Sequence, residues 1–183
     1  MDVAARFAPA LRRVPGIVVG TLGEDRAAFT ALGSVAPEAD PASLCWEIGS
    51  ITKVLTGLLL AEMSLRGEVR LDDPVGRYLP GPVAARLPGA EKQPTLADLA
   101  THTSGLPRLP WALIRAVGRS VDPYSALTEE QVFACLGPGT RRPRRPRSRY
   151  SNFGMGLLGH LLSHAAGRQQ VPQEAHEIGR AHV

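Results

Sequence analysis

The chain has 183 residues, 44% apolar and 21% charged, which is enough for one domain with a sizeable core and too apolar for disorder throughout. Its net charge is +4, but six arginines fall within residues 141–149 and the remainder is slightly acidic. That run, touched by one aromatic, Tyr150, is read as a solvated loop and no nucleic-acid partner is expected. Cys45 and Cys135 stand far apart and form no Cys-x-x-Cys, so neither a disulfide framework nor a zinc site is indicated, and both read as buried small hydrophobes. No signal-like apolar run opens the chain, and the longest apolar stretch, residues 55–61, is far too short to span a bilayer. A soluble, cytoplasmic product with no membrane partner is the expectation.

In chain order, residues 4–13 read as a short amphipathic helix stopped by Pro15. The apolar, β-branched run 16–22, the turn Gly23-Glu24-Asp25-Arg26 and the run 27–32 predict a β-hairpin. A connection rich in Pro and Ala, residues 35–42, leads to Leu44-Cys45-Trp46-Glu47-Ile48. The strongest helix covers residues 51–66, apolar nearly all round and ended by Gly67, a pattern that predicts burial. The proline-rich stretch 71–94 predicts an irregular connection with at most a short helix. Thr95-Leu96-Ala97-Asp98 has the form of a capping box opening a short helix to His102. Further helices are expected at about 111–119, 128–136 and 151–166. A hairpin, a buried helix and an irregular helical region make an α+β beginning without enough strands to complete a sheet.

Two short patterns carry chemistry. Ser50-Ile51-Thr52-Lys53 opens the apolar helix, where residues three apart share a face with Cβ atoms about 5–6 Å apart. Lys53 can therefore reach the Ser50 hydroxyl, and unpaired N–H groups at the helix start favour negative charge developing there. For Lys53 to act as a base its pKa must fall from about 10.4 to near 7, which takes roughly 4–5 kcal/mol of differential stabilisation. Tyr150-Ser151-Asn152 is the second pattern: a phenol over the Ser–Lys pair can shuttle a proton, and the amide can hold a substrate carbonyl or the ammonium. Ten serines and two lysines make a chance Ser-x-x-Lys unsurprising, but Asn152 is the only asparagine and there are three tyrosines. Both patterns together are not a chance pairing.

Trp46 through Lys53, Leu71-Asp72-Asp73-Pro74-Val75, Thr101-His102-Thr103-Ser104-Gly105-Leu106 and Tyr150-Ser151-Asn152-Phe153-Gly154 follow one another in this order. In kind and order they resemble the class C β-lactamases, the D-alanyl-D-alanine carboxypeptidases and the esterases of the same fold, over about residues 14–167. The resemblance implies a β-lactamase/transpeptidase-like α+β fold, here incomplete, and a serine hydrolase working through an acyl-enzyme on a β-lactam, D-alanyl peptide or ester. It implies Ser50 as nucleophile, Lys53 and Tyr150 sharing acid/base work, Asn152 positioning a small-molecule or peptide substrate, and no metal or organic cofactor. A non-catalytic binding remnant of the fold is the alternative.

Two departures stand out. The family's Lys/His-Thr/Ser-Gly triplet, on a strand that supplies one oxyanion-hole N–H, does not follow Tyr150. Residues 141–148 form an insertion where the family has a short link. The partial domain is expected to end at Gly167, with 168–183 a non-native or disordered tail; residues 177–183 match the translation of a common sequencing-adapter oligonucleotide. Without the remaining strands, the 183-residue chain is expected to be inactive. His160 and His164, four apart with no third ligand evident, read as ordinary helix histidines rather than a metal pair. His102 reads as a loop hydrogen-bonding residue. Trp111 and Tyr124 read as packing within the helical region, with a place in a substrate cleft as the alternative.

Overall fold

The computed structural model describes residues 3–24, 26–34, 40–116, 124 and 127–167; the tail expected at 168–183 lies outside them. The chain divides into two compact units, Met1–Glu47 and Ile48–Val183.

In the first unit, helix α1 (Val3–Phe7) passes into a 3-10 segment, Ala8–Arg12, rather than continuing as the single helix expected. Pro9 lacks the N–H that an α ladder would need there. Strands β1 (Gly16–Leu22) and β2 (Ala27–Gly33) form the expected antiparallel hairpin, in register from Gly16 opposite Gly33 to Leu22 opposite Ala27. Gly20 faces Phe29, and a Cβ on Gly20 would come within 3.3 Å of the ring, so the missing side chain makes room for the aromatic. Cys45 corrects an expectation: it is exposed. It follows the 3-10 turn Pro41–Ser43 in a stretch with neither helix nor strand, so no ladder partner covers it.

The second unit is helical. Helix α2 (Thr52–Leu65) follows a 3-10 turn, Gly49–Ile51. The proline-rich stretch supplies only single turns, Val75–Tyr78, α3 (Gly81–Ala84) and Ala90–Lys92. After them come α4 (Leu96–Ala100), α5 (Trp111–Ala116), α6 (Glu129–Ala134) and α7 (Asn152–Ala165). The expected helix at 111–119 is seen to residue 116; residues 117–119 lie outside the described residues.

The core gathers around α7, whose Leu157, Leu158, Leu161 and Leu162 are each at most 1% exposed. Against them cluster Leu96 and Leu99 of α4, Val132 and Phe133 of α6, Leu60 and Met63 of α2, and Val75. The expected burial of α2 is corrected. Its apolar residues lie on two sides; Leu60 and Met63 pack, while Ile51, Val54, Leu55, Leu58 and Leu59 are 48–64% exposed. A helix apolar all round needs cover on both sides, and the described residues cover one.

Two buried carboxylates fix the approach to α4. Asp73 accepts hydrogen bonds from the Arg70 N–H (2.8 Å), the Arg77 guanidinium (2.7 Å) and the Tyr78 hydroxyl. Burial opposes ionisation, yet these donors hold its carboxyl below the usual range, and burial together with Asp73 pushes Tyr78 up to about 12. The Asp73 carbonyl in turn accepts the Leu96 N–H at 3.1 Å. The expected capping box is complete: Thr95 accepts from the Asp98 N–H, and Asp98 accepts from the Thr95 N–H. Thr128 and Gln131 build a second box at the start of α6. Among the described residues, no helix is long and apolar enough to cross a membrane.

Candidate active site

Gly49 takes φ +53°, a left-handed value that glycine adopts without strain, and the 3-10 turn it opens presents Ser50 at the surface. Lys53, in the first turn of α2, donates from Nζ to Ser50 Oγ at 3.2 Å, so the expected reach across three residues is realised. The N–H groups beside Ser50 differ from expectation. Ile51 N–H binds the Ile48 carbonyl at 3.2 Å and Thr52 N–H binds the Gly49 and Ser50 carbonyls, because a 3-10 turn closes i→i+3 bonds where an open helix end would leave donors free.

Tyr150, a hundred residues on, brings its hydroxyl to 2.6 Å from Ser50 Oγ. Its ring has Lys53 Nζ 4.9 Å and the Arg108 guanidinium 5.7 Å from its centroid, with the His102 ring 4.8 Å away, tilted 44°. The tyrosine is 43% exposed, and its phenol is held below its ordinary value, first by Lys53, then by the Ser50 hydroxyl, with the Arg108 charge adding. An ammonium can only donate. With Lys53 donating to Oγ, the Ser50 and Tyr150 hydroxyls share a hydrogen bond in which either can donate, so a proton can pass between them.

Ser151, between the two predicted functional residues, does the local building. It is the N-cap of α7, accepting the Gly154 N–H at 2.8 Å and donating to the Pro107 carbonyl at 2.6 Å. A Cβ on Gly154 would sit 3.3 Å from Ser151 Oγ, so the glycine of Ser-Asn-Phe-Gly leaves room for the cap. The cap sets Tyr150 on the extended backbone just outside the helix and Asn152 on its first residue. Asn152 N–H binds the Arg108 carbonyl at 2.9 Å and its Nδ2 binds Tyr124 Oη at 3.1 Å. Its Oδ1 is buried with no hydrogen-bond partner among the described residues. The bond described for this side-chain amide thus runs to Tyr124, and none is described to Lys53.

His102 makes the loop bonds expected of it. Its carbonyl accepts from Arg149 N–H at 2.8 Å, and its Nδ1 lies 3.2 Å from Ser151 N–H. Nδ1 is therefore the unprotonated nitrogen, which agrees with the downward shift that burial and then the Lys53 charge impose on the ring.

His160 and His164 also fit their expected place as packed helix residues. Both meet the carboxylate of Glu129, at 3.1 and 3.0 Å, and both pack edge-on against Phe133. Burial outweighs Glu129 and holds His160 below its ordinary value. Trp111 is about half exposed and lines a cavity of about 450 Å³ with Leu106, Ile114, Leu136 and Phe153, so packing alone does not describe it. The arginine run is not wholly solvated either: Arg142 pairs with buried Asp98 at 2.8 Å. Arg108, Tyr124 as the partner of Asn152, and Arg142 escaped the sequence reading, because no spacing rule links them to partners 28 to 44 positions away.

The geometry defines a Ser–Lys–Tyr cluster in which two helix starts meet, and relatives carry similar chains. The family described as Beta-lactamase matches residues 3–177. The D-alanyl-D-alanine-carboxypeptidase/endopeptidase AmpH of Escherichia coli K12 is 34% identical over 136 residues, 73% of this chain and 34% of AmpH. A β-lactamase/D-alanine carboxypeptidase from Yersinia pestis superposes with TM-score 0.63 at 28% identity, over 84% of this chain and 43% of that one. A D-stereospecific amidohydrolase from Streptomyces gives TM-score 0.65 at 26% identity, over 85% and 46%. The chain belongs to the beta-lactamase family, whose members are serine hydrolases. It spans about a third of AmpH and under half of each of the two solved relatives.

Proposed function

We propose that Ser50 is the nucleophile of an acyl transfer to an amide, lactam or ester carbonyl, with Tyr150 as its proton acceptor and Lys53 as the cation that keeps Tyr150 acidic. The observation that carries this is the pair of contacts to one oxygen, 2.6 Å from Tyr150 Oη and 3.2 Å from Lys53 Nζ. As Oγ bonds to the carbonyl carbon its proton passes to Tyr150, which then protonates the departing nitrogen or oxygen and leaves an acyl-serine. Water attacking that ester returns the proton to Ser50 by the same path in reverse. Asn152, at the start of α7 two residues after Tyr150, positions the substrate, and its Oδ1 has no hydrogen-bond partner among the described residues. AmpH and the Yersinia protein are described as acting at D-alanine and the Streptomyces protein as D-stereospecific. A D-configured peptide amide is therefore the substrate class supported first, ahead of a β-lactam or ester.

A fluorescent penicillin and a fluorophosphonate test the proposal. In a version completed with the remaining strands of the fold, both should label Ser50, Ser50→Ala should abolish the label, and Lys53→Ala should slow labelling by about 10²–10⁴-fold. With the Tyr150 phenol lowered by Lys53, labelling should rise with pH with a midpoint below the phenol's ordinary value of about 10, and Lys53→Ala should move that limb upward. Label surviving in Ser50→Ala would sink the assignment of the nucleophile.

A further inference from the structure

We infer that Arg142 is a positioning residue for Tyr150, acting through a clamp that ties the arginine-rich segment to the loop around His102; this rests on Tyr150 being the proton acceptor proposed above. The anchor is Asp98, only 4% exposed. Its carboxylate takes the guanidinium in a fork, Nε at 2.8 Å from Oδ2 and Nη2 at 3.2 Å from Oδ1. The same two oxygens hold the Thr95 N–H and hydroxyl at 3.0 Å and the Thr103 hydroxyl at 3.1 Å. The Asp98 carbonyl meanwhile accepts the N–H groups of Thr103 and Ser104. One acidic residue thus fixes the start of α4, the loop just before Gly105, and Arg142.

The Arg142 backbone is tied as well, its N–H to the Lys92 carbonyl at 2.8 Å. Pro143 then lies against Gly105, which takes φ +79° and whose Cβ, if present, would meet the proline ring at 3.3 Å. Seven residues after Arg142 the chain is caught again by the same loop. Arg149 N–H and Ser151 N–H go to the carbonyl and Nδ1 of His102, and the His102 ring lies against Tyr150. Tyr150 therefore lies inside the second fastening, and its holder His102 is next in sequence to Thr103, which the Arg142 partner Asp98 binds. The groups facing it are Ser50, Lys53, Arg108 and His102. Arg142 touches none of the reacting atoms; it pairs with the carboxylate that holds the His102 loop, and that loop holds Tyr150.

The test reads Tyr150 itself, in the full chain carrying tyrosine labelled with ¹³C at Cζ, the resonance assigned with Tyr150→Phe and followed against pH. In the parent protein Tyr150 titrates below its ordinary value of about 10. In Arg142→Ala its midpoint should climb toward that value, because the phenol leaves Lys53 and Ser50. Arg142→Lys keeps the charge but loses the planar fork and should fall between. Arg145→Ala, an exposed member of the same run, should leave the midpoint where it is. An unchanged midpoint in folded Arg142→Ala would overturn the inference. So would an equal rise in Arg145→Ala, which would trace the effect to net charge. If Arg142→Ala does not fold, Arg142→Lys decides, and a parent-like midpoint there overturns the inference. Fluorophosphonate labelling of the same variants should slow by about 10- to 100-fold in Arg142→Ala, the cost of misplacement on the scale of 1 Å. A parent protein that shows the titration shifts but no Ser50 label would condemn the proposed nucleophile and leave the clamp standing.

Discussion

Helices α2 and α7 are both 14 residues long and both strongly apolar, yet they stand in opposite conditions. Helix α7 buries seven residues, from Phe153 to Leu162, whereas α2 buries Leu60 and Met63 and turns a stripe of Val54, Leu55 and Leu58 outward. Each carries half of the site at its beginning, Tyr150 and Asn152 at α7, Ser50 and Lys53 at α2. The half bearing the tyrosine is tied down by a cap, a histidine and an ion pair to a buried aspartate; the half bearing the serine rests on a 3-10 turn and one packed face. Apolarity tells that a helix seeks cover. It does not tell which of its sides the neighbouring residues supply.

The sharpest way to break this comparison is a pair of leucine truncations. Leu161→Ala should cost about 2–5 kcal/mol in a denaturant melt, the range for a filled core site, whereas Leu58→Ala should stay within about 0.5 kcal/mol. Equal losses would show that the outer stripe of α2 is packed in solution. Next in size is the cap. Ser151→Ala should cost about 1–2 kcal/mol and should also slow labelling of Ser50, since the same residue sets the backbone of Tyr150; lost stability with unchanged labelling would separate the two roles.

The smallest effect expected is in acid. The Asp73 carboxyl is held below its ordinary value in the folded chain, so its contribution is present above the unfolded value near 3.9 and is lost as pH falls through the lower folded one. His102 and His160 are lowered too. The unfolded chain takes up those protons first, and stability should begin to decline once pH drops below about 6.5. Asp73→Asn should flatten the lower part of a stability-against-pH curve and His160→Gln the upper part; curves that superpose on the parent's would remove these groups from the account.

Much of this was legible in the sequence because it was local. The hairpin followed from an apolar β-branched run, the turn at Gly23 and a returning run, the short helix from Thr95 and Asp98, and the Ser50–Lys53 contact from helical spacing alone. Tyr150 was legible as part of a pattern, although its bond to Ser50 spans a hundred residues. What stayed hidden depends on partners distant in sequence. Arg142 is one of six similar arginines until Asp98 selects it, and Arg108 matters through its backbone carbonyl and its guanidinium over Tyr150, neither tied to a spacing in the sequence. The outward stripe of α2 was misread because a one-dimensional pattern records which faces are apolar and not what lies opposite them. Cys45 was misread for the same reason, as a small apolar residue with nothing packed over it.

The two fastenings of the arginine-rich segment have a consequence for chain length. Between Arg142, held by Asp98 and Lys92, and Arg149, held by His102, the residues 144–147 are exposed. Both ends of that stretch are fixed by bonds that do not pass through it, so its length is uncoupled from the place of Tyr150. Loop closure costs only about 0.6 kcal/mol for each doubling of a flexible loop. A peptide tag or a short extra sequence inserted after Arg145 should therefore be carried as a surface bulge. The same insertion between Tyr150 and Asn152 would break the register that a single serine keeps.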